Sequence, residues 1–325
     1  MTMREVAKLA GVSIATVSRY LNGGSLAEDK RERIARVIKE TGYQPSSSAQ
    51  SLRSGRSRLV GVIVSKMSSE SIGRAVDGIS SVLTPRGYQM LLATTNNHAE
   101  REPGLIELFE RHPVDGIVLF ATYVSARHRA ALKSCRVPII VNGQYVAGAN
   151  CVVNDEFGAA RELASRLAAS GSRHPAYIGV SRQDAAAGAS RADGYRAGMD
   201  DAGVSMPESL YREAEFSLES GYEAARSLLE ERLPIDTISC ATDTIAAGAL
   251  RAVRDSGRAA PGGGDIRVSG FGDSHMVRML SDGIPTVHFG LKTGGIKAAE
   301  LLLDMIEGRE RLPMQIRLGF EIIGL

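Results

Sequence analysis

A chain of 325 residues with 43% apolar residues, 23% charged residues and 35 glycines has the makeup of a folded protein of two or three domains, which excludes an intrinsically disordered one. No apolar run approaches the roughly 20 residues a membrane helix needs, and the start MTMREVAKLAG lacks the apolar stretch of a secretory leader, so a cytoplasmic location and no membrane contact are expected. The net charge of +2 is uneven: residues 1–58 carry 11 Lys/Arg against 5 Asp/Glu, net +6, and the remainder is net −4, so a polyanion partner is expected for the head alone.

In chain order, the first informative stretch is VAKLAGVSIATVSRYLNG, residues 6–23. Val6, Leu9 and Ala10 recur at helical spacing, Gly11 can end that helix, and Ser13 can cap a second one. Val17 and Leu21 turn one face of the second helix inward. Ile34, Val37 and Ile38 in AEDKRERIARVIKETG predict a third helix that covers them. Ile14, Ala15, Ser18, Arg19 and Asn22 fall on the opposite face, with Ser13 and Thr16 beside them. Helices this short are marginal unless packed, so the unit makes sense as a helix-turn-helix. Arg can read guanine bidentately, small apolar groups meet thymine methyls, and Ser, Thr and Asn hold phosphates. A helical hairpin with a solvated face is the plainer alternative; the basic charge and the N-terminal position weigh against it.

The segments REVAKLAGVSIATVSRYLN and GYQPSSSAQSL resemble the lactose/galactose repressor family of bacterial transcriptional regulators, and the resemblance extends over the whole chain. It implies a helix-turn-helix DNA-binding domain at 1–45 and a hinge with linker at 46–58. The hinge helix, about Ser46 to Ser54, would fold on operator DNA and wedge Leu52 into the minor groove, with Ser46 and Arg53 beside it. Two departures stand out: Ala27 replaces the Ser or Thr that usually caps the third helix, and Ser46-Ser47 replaces Asn-Arg at the hinge. Arg53, Arg56 and Arg58 can compensate electrostatically.

From Leu59 onward the apolar runs LVGVIV, QMLLAT, DGIVLF and VPIIV, and then PAYIGV, IDTISC and IRVSGF, alternate with amphipathic stretches such as ESIGRAVDGISSVLTPRG. Runs without alternation predict parallel strands buried on both faces. Two such series predict two doubly wound subdomains with a cleft at the carboxyl ends of their strands. The resemblance implies a periplasmic-binding-protein-like α/β body over 59–325. Its chain would cross near Asn154 and Pro285, giving subdomain 1 about 59–154 and 286–312, and subdomain 2 about 155–285 and 313–325. RLGFEIIGL at the end reads as one final strand, with no leucine heptad after it.

No phosphate-binding loop, metal-ligand spacing or catalytic signature is present, so neither an enzyme nor a cofactor is expected. Cys135, Cys151 and Cys240 read as reduced core thiols. By position in the resemblance, Arg191 and Phe216 bind the effector, as fork and stacking ring. Thr242 and Asp243 in CATDTIAAGAL stand at a helix start, where Asp243 is equally a cap or a ligand. In VSGFGDSH, Gly272 replaces the first of two acids and Asp273 keeps the second. Asn142, His288 and Phe289 are weaker candidates beside the cleft. An aromatic platform with hydroxyl-bonding groups favours a sugar or sugar phosphate. The expected protein is a homodimeric, ligand-responsive repressor of a carbohydrate-use operon that binds double-stranded pseudopalindromic DNA. A solute receptor for a transporter shares the body but would need a leader where this chain has its basic head.

Overall fold

The computed structural model describes residues 1–21, 23–43, 55–112, 114–258, 260, 263–280, 283–309 and 313–325, which fall into two units, Met1–Arg58 and Leu59–Leu325. Asn22 and the hinge residues Ser46, Leu52 and Arg53 lie outside the described residues.

In the first unit, helix α1 (Met3–Ala10) opens with a reciprocal cap. Thr2 Oγ1 accepts from Glu5 N at 3.3 Å, and the Glu5 carboxylate accepts from Thr2 N at 2.7 Å. Gly11, at φ 62°, closes it. Ser13 Oγ then accepts from Thr16 N at 3.2 Å at the start of α2 (Ile14–Leu21). Helix α3 (Glu28–Thr41) begins after Ala27 with no side-chain cap, as the departure at that position implies. Val6, Ala7, Ala10, Val17 and Ile34 form the core, with Leu21, Val37 and Ile38 partly buried around them. Leu9, expected inside, is 60% exposed. The inward stripe of α1 runs through Val6, Ala7 and Ala10, and Leu9 falls to one side of it.

In the second unit, the first lobe is an all-parallel sheet in the order β2-β1-β3-β4-β5-β11. Its strands are β1 (Leu59–Val64), β2 (Gln89–Thr94), β3 (Gly116–Phe120), β4 (Ile139–Asn142), β5 (Asn150–Asn154) and β11 (Gln315–Leu318). Helices α4 (Glu70–Leu83), α5 (Glu102–Arg111), α6 (Ala126–Ser134) and α12 (Leu291–Ile306) accompany it. The second lobe has parallel strands in the order β7-β6-β8-β9, namely β7 (Tyr211–Glu213), β6 (Pro175–Gly179), β8 (Thr237–Cys240) and β9 (Arg267–Ser269). Its helices are α7 (Glu156–Ala169), α8 (Arg191–Asp201), α9 (Leu218–Glu230), α10 (Asp243–Ser256) and α11 (His275–Leu280).

Three expectations about this body need correction. The return to the first lobe falls at Gly290, not Pro285. Strand β10 (Thr286–Phe289) stays with the second lobe, where Gly270 N and Gly272 N donate to Pro285 O and Val287 O at 2.9 Å, and Val287 and Phe289 join the second core. The terminal segment is two strands rather than one: β11 pairs with β5 in the first lobe, and β12 (Phe320–Ile323) pairs antiparallel with β10. Residues 315–318 therefore leave the second lobe to which 313–325 was assigned. Finally, β2 is not buried on both faces; as an edge strand it leaves Leu91 and Leu92 39% and 40% exposed. Of the cysteines, Cys151 and Cys240 are buried and Cys135 half-buried, all as free thiols whose pKa burial pushes up.

Neighbouring helices meet backbone to backbone. A Cβ on Gly295 of α12 would lie 1.9 Å from Ala75 O of α4, and one on Gly78 of α4 would lie 2.1 Å from Lys292 O. The pairs α7/α8 and α9/α10 repeat the device through Gly198 and Gly248, where a Cβ would stand 2.2 Å from Arg161 O and 2.1 Å from Leu218 O. Gly295→Ala should therefore separate α4 from α12 and destabilise the body by about 1–3 kcal/mol, read as a lower midpoint in urea unfolding.

Candidate DNA-reading helix and inter-lobe cleft

On the head, α2 turns Val17 into the core and leaves Ser13, Ile14, Ala15 and Arg19 exposed, with Thr16 and Ser18 half-buried between them. This is the face read from the sequence. Ser13 and Thr16 hydroxyls bond each other at 2.8 Å, which orders the first turn. The stem of Arg19 is held by its neighbour: Gly24 N donates to Arg19 O at 2.9 Å, and a Cβ at Gly24 would come within 2.6 Å of Arg19 Cγ. A side chain at position 24 would collide with the arginine stem, so the glycine leaves it room.

In the body, a cavity of about 610 Å³ opens between the lobes at the carboxyl ends of the strands. It is lined by Asn142, Arg191, Phe216, Thr242, Asp243 and Phe289. Arg191, at the start of α8, donates from Nε to Glu156 at 2.7 Å and from one terminal nitrogen to Ala241 O at 2.5 Å. Its guanidinium lies over the rings of Phe271 and Phe289, 4.8 and 5.7 Å from their centroids. Burial works against its charge, but the Glu156 carboxylate outweighs that and its pKa is raised. Asp243 is buried and takes Thr286 Oγ1 at 2.7 Å and Ser274 N at 2.6 Å. Burial raises its pKa, more than these bonds lower it. The cap of α10 is Thr242, whose hydroxyl accepts from Ile245 N at 3.3 Å, so Asp243 is a tie between loops rather than the cap.

Asp273 and the weaker candidate His288 are the expected site residues that the structure does not bring into the cavity lining. The Asp273 carboxylate is buried and held by Arg278, with Nε at 2.6 Å, and by His288 Nδ1 at 2.7 Å. With Gly272 in place of an acid, the loop turns at φ 128° and carries Asp273 at φ 50° away from the cavity.

Several residues of the site went unread in the sequence. Asp184 accepts at Oδ1 from Ala186 N, Ala187 N and Gln144 Nε2, and burial raises its pKa. Its only signal is a lone acid before the small-residue run AAAGAS. Glu156, Phe120, Phe271 and Lys66 join it in the cleft or its inner recess. Phe271 could have been found beside Asp273, as the ring that ends IRVSGF.

An exposed Arg-bearing recognition helix, and a two-lobed body holding a polar and aromatic cleft, define a ligand-responsive DNA-binding regulator. Residues 2–46 match bacterial regulatory proteins of the lacI family, and residues 164–323 match the periplasmic binding protein-like domain. The chain is 32% identical to the HTH-type transcriptional regulator CelR of Thermobifida fusca, over 97% of this chain and 94% of that one. It is 29% identical to the sucrose operon repressor of Staphylococcus xylosus, over 98% of each. A solved transcriptional regulator CelR–cellobiose complex superposes with a TM-score of 0.75 at 30% identity, over 100% of this chain and 98% of that one. The chain belongs to the lacI family of bacterial regulatory proteins, and it is a DNA-binding transcriptional regulator rather than an enzyme. Among the described residues no helix is long and apolar enough to cross a membrane.

The Asp273 ties have a pH consequence. Burial alone would raise its pKa, but Arg278 and His288 outweigh it, so the folded value lies below the ordinary carboxylate value. The stabilisation is present above the unfolded pKa of about 4 and is lost as pH falls through the folded one. Asp273→Asn should lower stability at pH 7 by about 1–3 kcal/mol and flatten the loss below about pH 4, measured by urea unfolding across pH.

Proposed function

We propose that this regulator represses a carbohydrate-use operon, binding a pseudopalindromic operator as a homodimer in the bacterial cytoplasm and taking a saccharide in the inter-lobe cleft. The observation that carries the effector reading is the cavity of about 610 Å³, where phenylalanine rings at Phe120, Phe216, Phe271 and Phe289 stand beside Arg191 and buried carboxylates. Sugar rings stack an apolar face and require many polar bonds around their edges, and this lining supplies both. The relatives named for the sucrose operon and solved with cellobiose support the same class of ligand.

On DNA, Arg19 reads a base edge and Ser13, Thr16 and Ser18 hold the backbone, with Ile14 and Ala15 against methyl groups; Asn22, Ser46, Leu52 and Arg53 complete the contact set by family position. Bound saccharide biases the separation of the lobes, and only a ligand with different affinity for the two separations moves operator affinity. The test is operator binding by gel shift with and without sugars. A shift in operator affinity that Arg191→Ala removes supports the reading, and a response that survives this variant refutes the cleft assignment. Arg19→Ala should weaken specific binding by about 1–3 kcal/mol and relax preference at one base per half-site. Equal loss on random DNA would show that Arg19 touches phosphate alone.

The homodimer rests on β2. A parallel sheet is ordinarily covered on both faces, yet the edge strand β2 presents Leu91 and Leu92 to solvent, and a second copy of the chain supplies the cover. Leu92→Glu should shift light-scattering mass toward the monomer and weaken operator binding while leaving the melting of the head unchanged.

A further inference from the structure

Among the described residues, five carboxylates surround the cleft and its inner recess: Glu70, Asp184, Glu219 and Asp243 at the cavity, and Glu156 behind it. The cationic side chains among the lining residues are Lys66 and Arg191. The carboxylates occupy particular places. Glu70 stands in the first turn of α4, Glu156 in that of α7, Glu219 in that of α9 and Asp243 in that of α10. Asp184 caps the π-turn Ala185–Ser190 through Ala186 N at 3.0 Å and Ala187 N at 2.9 Å. Helix N-termini are where proteins seat phosphate, because their free N–H groups and dipoles favour negative charge. Four of these termini, those of α4, α7, α9 and α10, carry an acid of their own, whereas that of α12, whose Leu291 also lines the cavity, has none in its first turn.

Both cations are committed as well. Lys66 Nζ donates to Phe216 O at 2.7 Å, across the cleft. Arg191 spends Nε on Glu156 and a terminal nitrogen on Ala241 O, and its plane lies over Phe271 and Phe289. Two of its five N–H groups are thereby spent on the protein's own acceptors. Glu156 is paired with Arg191, and Glu70 with Arg74 and His275, so a dianionic group in this cavity would meet its like charge at Asp184, Glu219 and Asp243. Hydroxyls fit: Asp184 takes its three bonds at Oδ1, which leaves Oδ2 to accept from a ligand hydroxyl, and the phenylalanine rings receive the apolar face of a sugar.

We infer that the cleft takes an unphosphorylated, uncharged saccharide and rejects the phosphate ester of the same sugar. This rests on the saccharide reading above and narrows it, since composition and motif left sugar and sugar phosphate equally open.

The test is calorimetric titration of the full-length protein with sucrose, cellobiose, trehalose and glucose, and with the 6-phosphates of sucrose, trehalose and glucose. At least one unphosphorylated sugar should bind, with its 6-phosphate at least about tenfold weaker, since like-charge juxtaposition is strongly unfavourable. The affinity of the neutral sugar should change by less than about twofold across a tenfold range of salt. Glu219→Lys, which reverses one charge at the exposed first turn of α9, should narrow the gap between a sugar and its phosphate. Tighter binding of a 6-phosphate overturns this inference and leaves the saccharide reading standing. Absence of heat from every sugar of both kinds, with operator binding intact, overturns both.

Discussion

The body is organised around a buried positive charge. Burying a guanidinium costs several kcal/mol unless it is paired and its donors are used, and Arg191 meets both conditions at once. Glu156 supplies the opposite charge, Ala241 O takes a second N–H, and the rings of Phe271 and Phe289 face the cation. Those partners come from the start of α7, from just past β8, from just past β9 and from the end of β10. One side chain therefore gathers the carboxyl ends of three strands and the helix that follows the first crossing between lobes. The floor of the cleft is a consequence of satisfying that charge.

Across the cleft the lobes are joined by polar ties. Besides Lys66 to Phe216 O, Gln144 Nε2 donates to Asp184 at 2.7 Å, Arg74 donates to Gly272 O and Asp273 O at 3.1 and 3.0 Å, and His275 bonds Glu70 at 2.9 Å. Burial lowers the pKa of Lys66, so its charge is held at a cost. Ties of this type are individually weak, and three chain crossings, at Asn154, Gly290 and Gly319, allow the lobes to change separation without unfolding.

Much of this architecture was legible in the residues, because the signals were local. Three helices announced themselves by apolar spacing and by Gly11, and β1 to β4, β6, β8 and β9 by short apolar runs between amphipathic stretches, whereas β5, β7 and β10 carried no such run. What stayed hidden depended on partners distant in sequence. The exposure of Leu91 and Leu92 follows from β2 being an edge, which its apolar run does not encode. The positions of β10 and β12 follow from their pairing with each other, and Gly319, with nothing near it to mark a boundary, divides what looked like one strand. Asp273 matched the family position, yet a Gly at 272 redirected it toward Arg278 and His288. Arg191 was found by position, whereas Glu156, which makes its burial tolerable, carries no motif at all.

The split at Gly319 bears on how the chain is made. Strand β11 completes the edge of the first lobe at β5, and strand β12 completes the β10 ribbon of the second, so both lobes draw their last strand from residues 315–323. On a ribosome that exit order leaves two unfinished lobes waiting together, with the β5 and β10 edges unpaired, until residues 315–323 emerge. The head, whose core closes within residues 3–43, can fold long before that. Both lobes thus depend on one short segment, whereas the head closes its core on residues of its own.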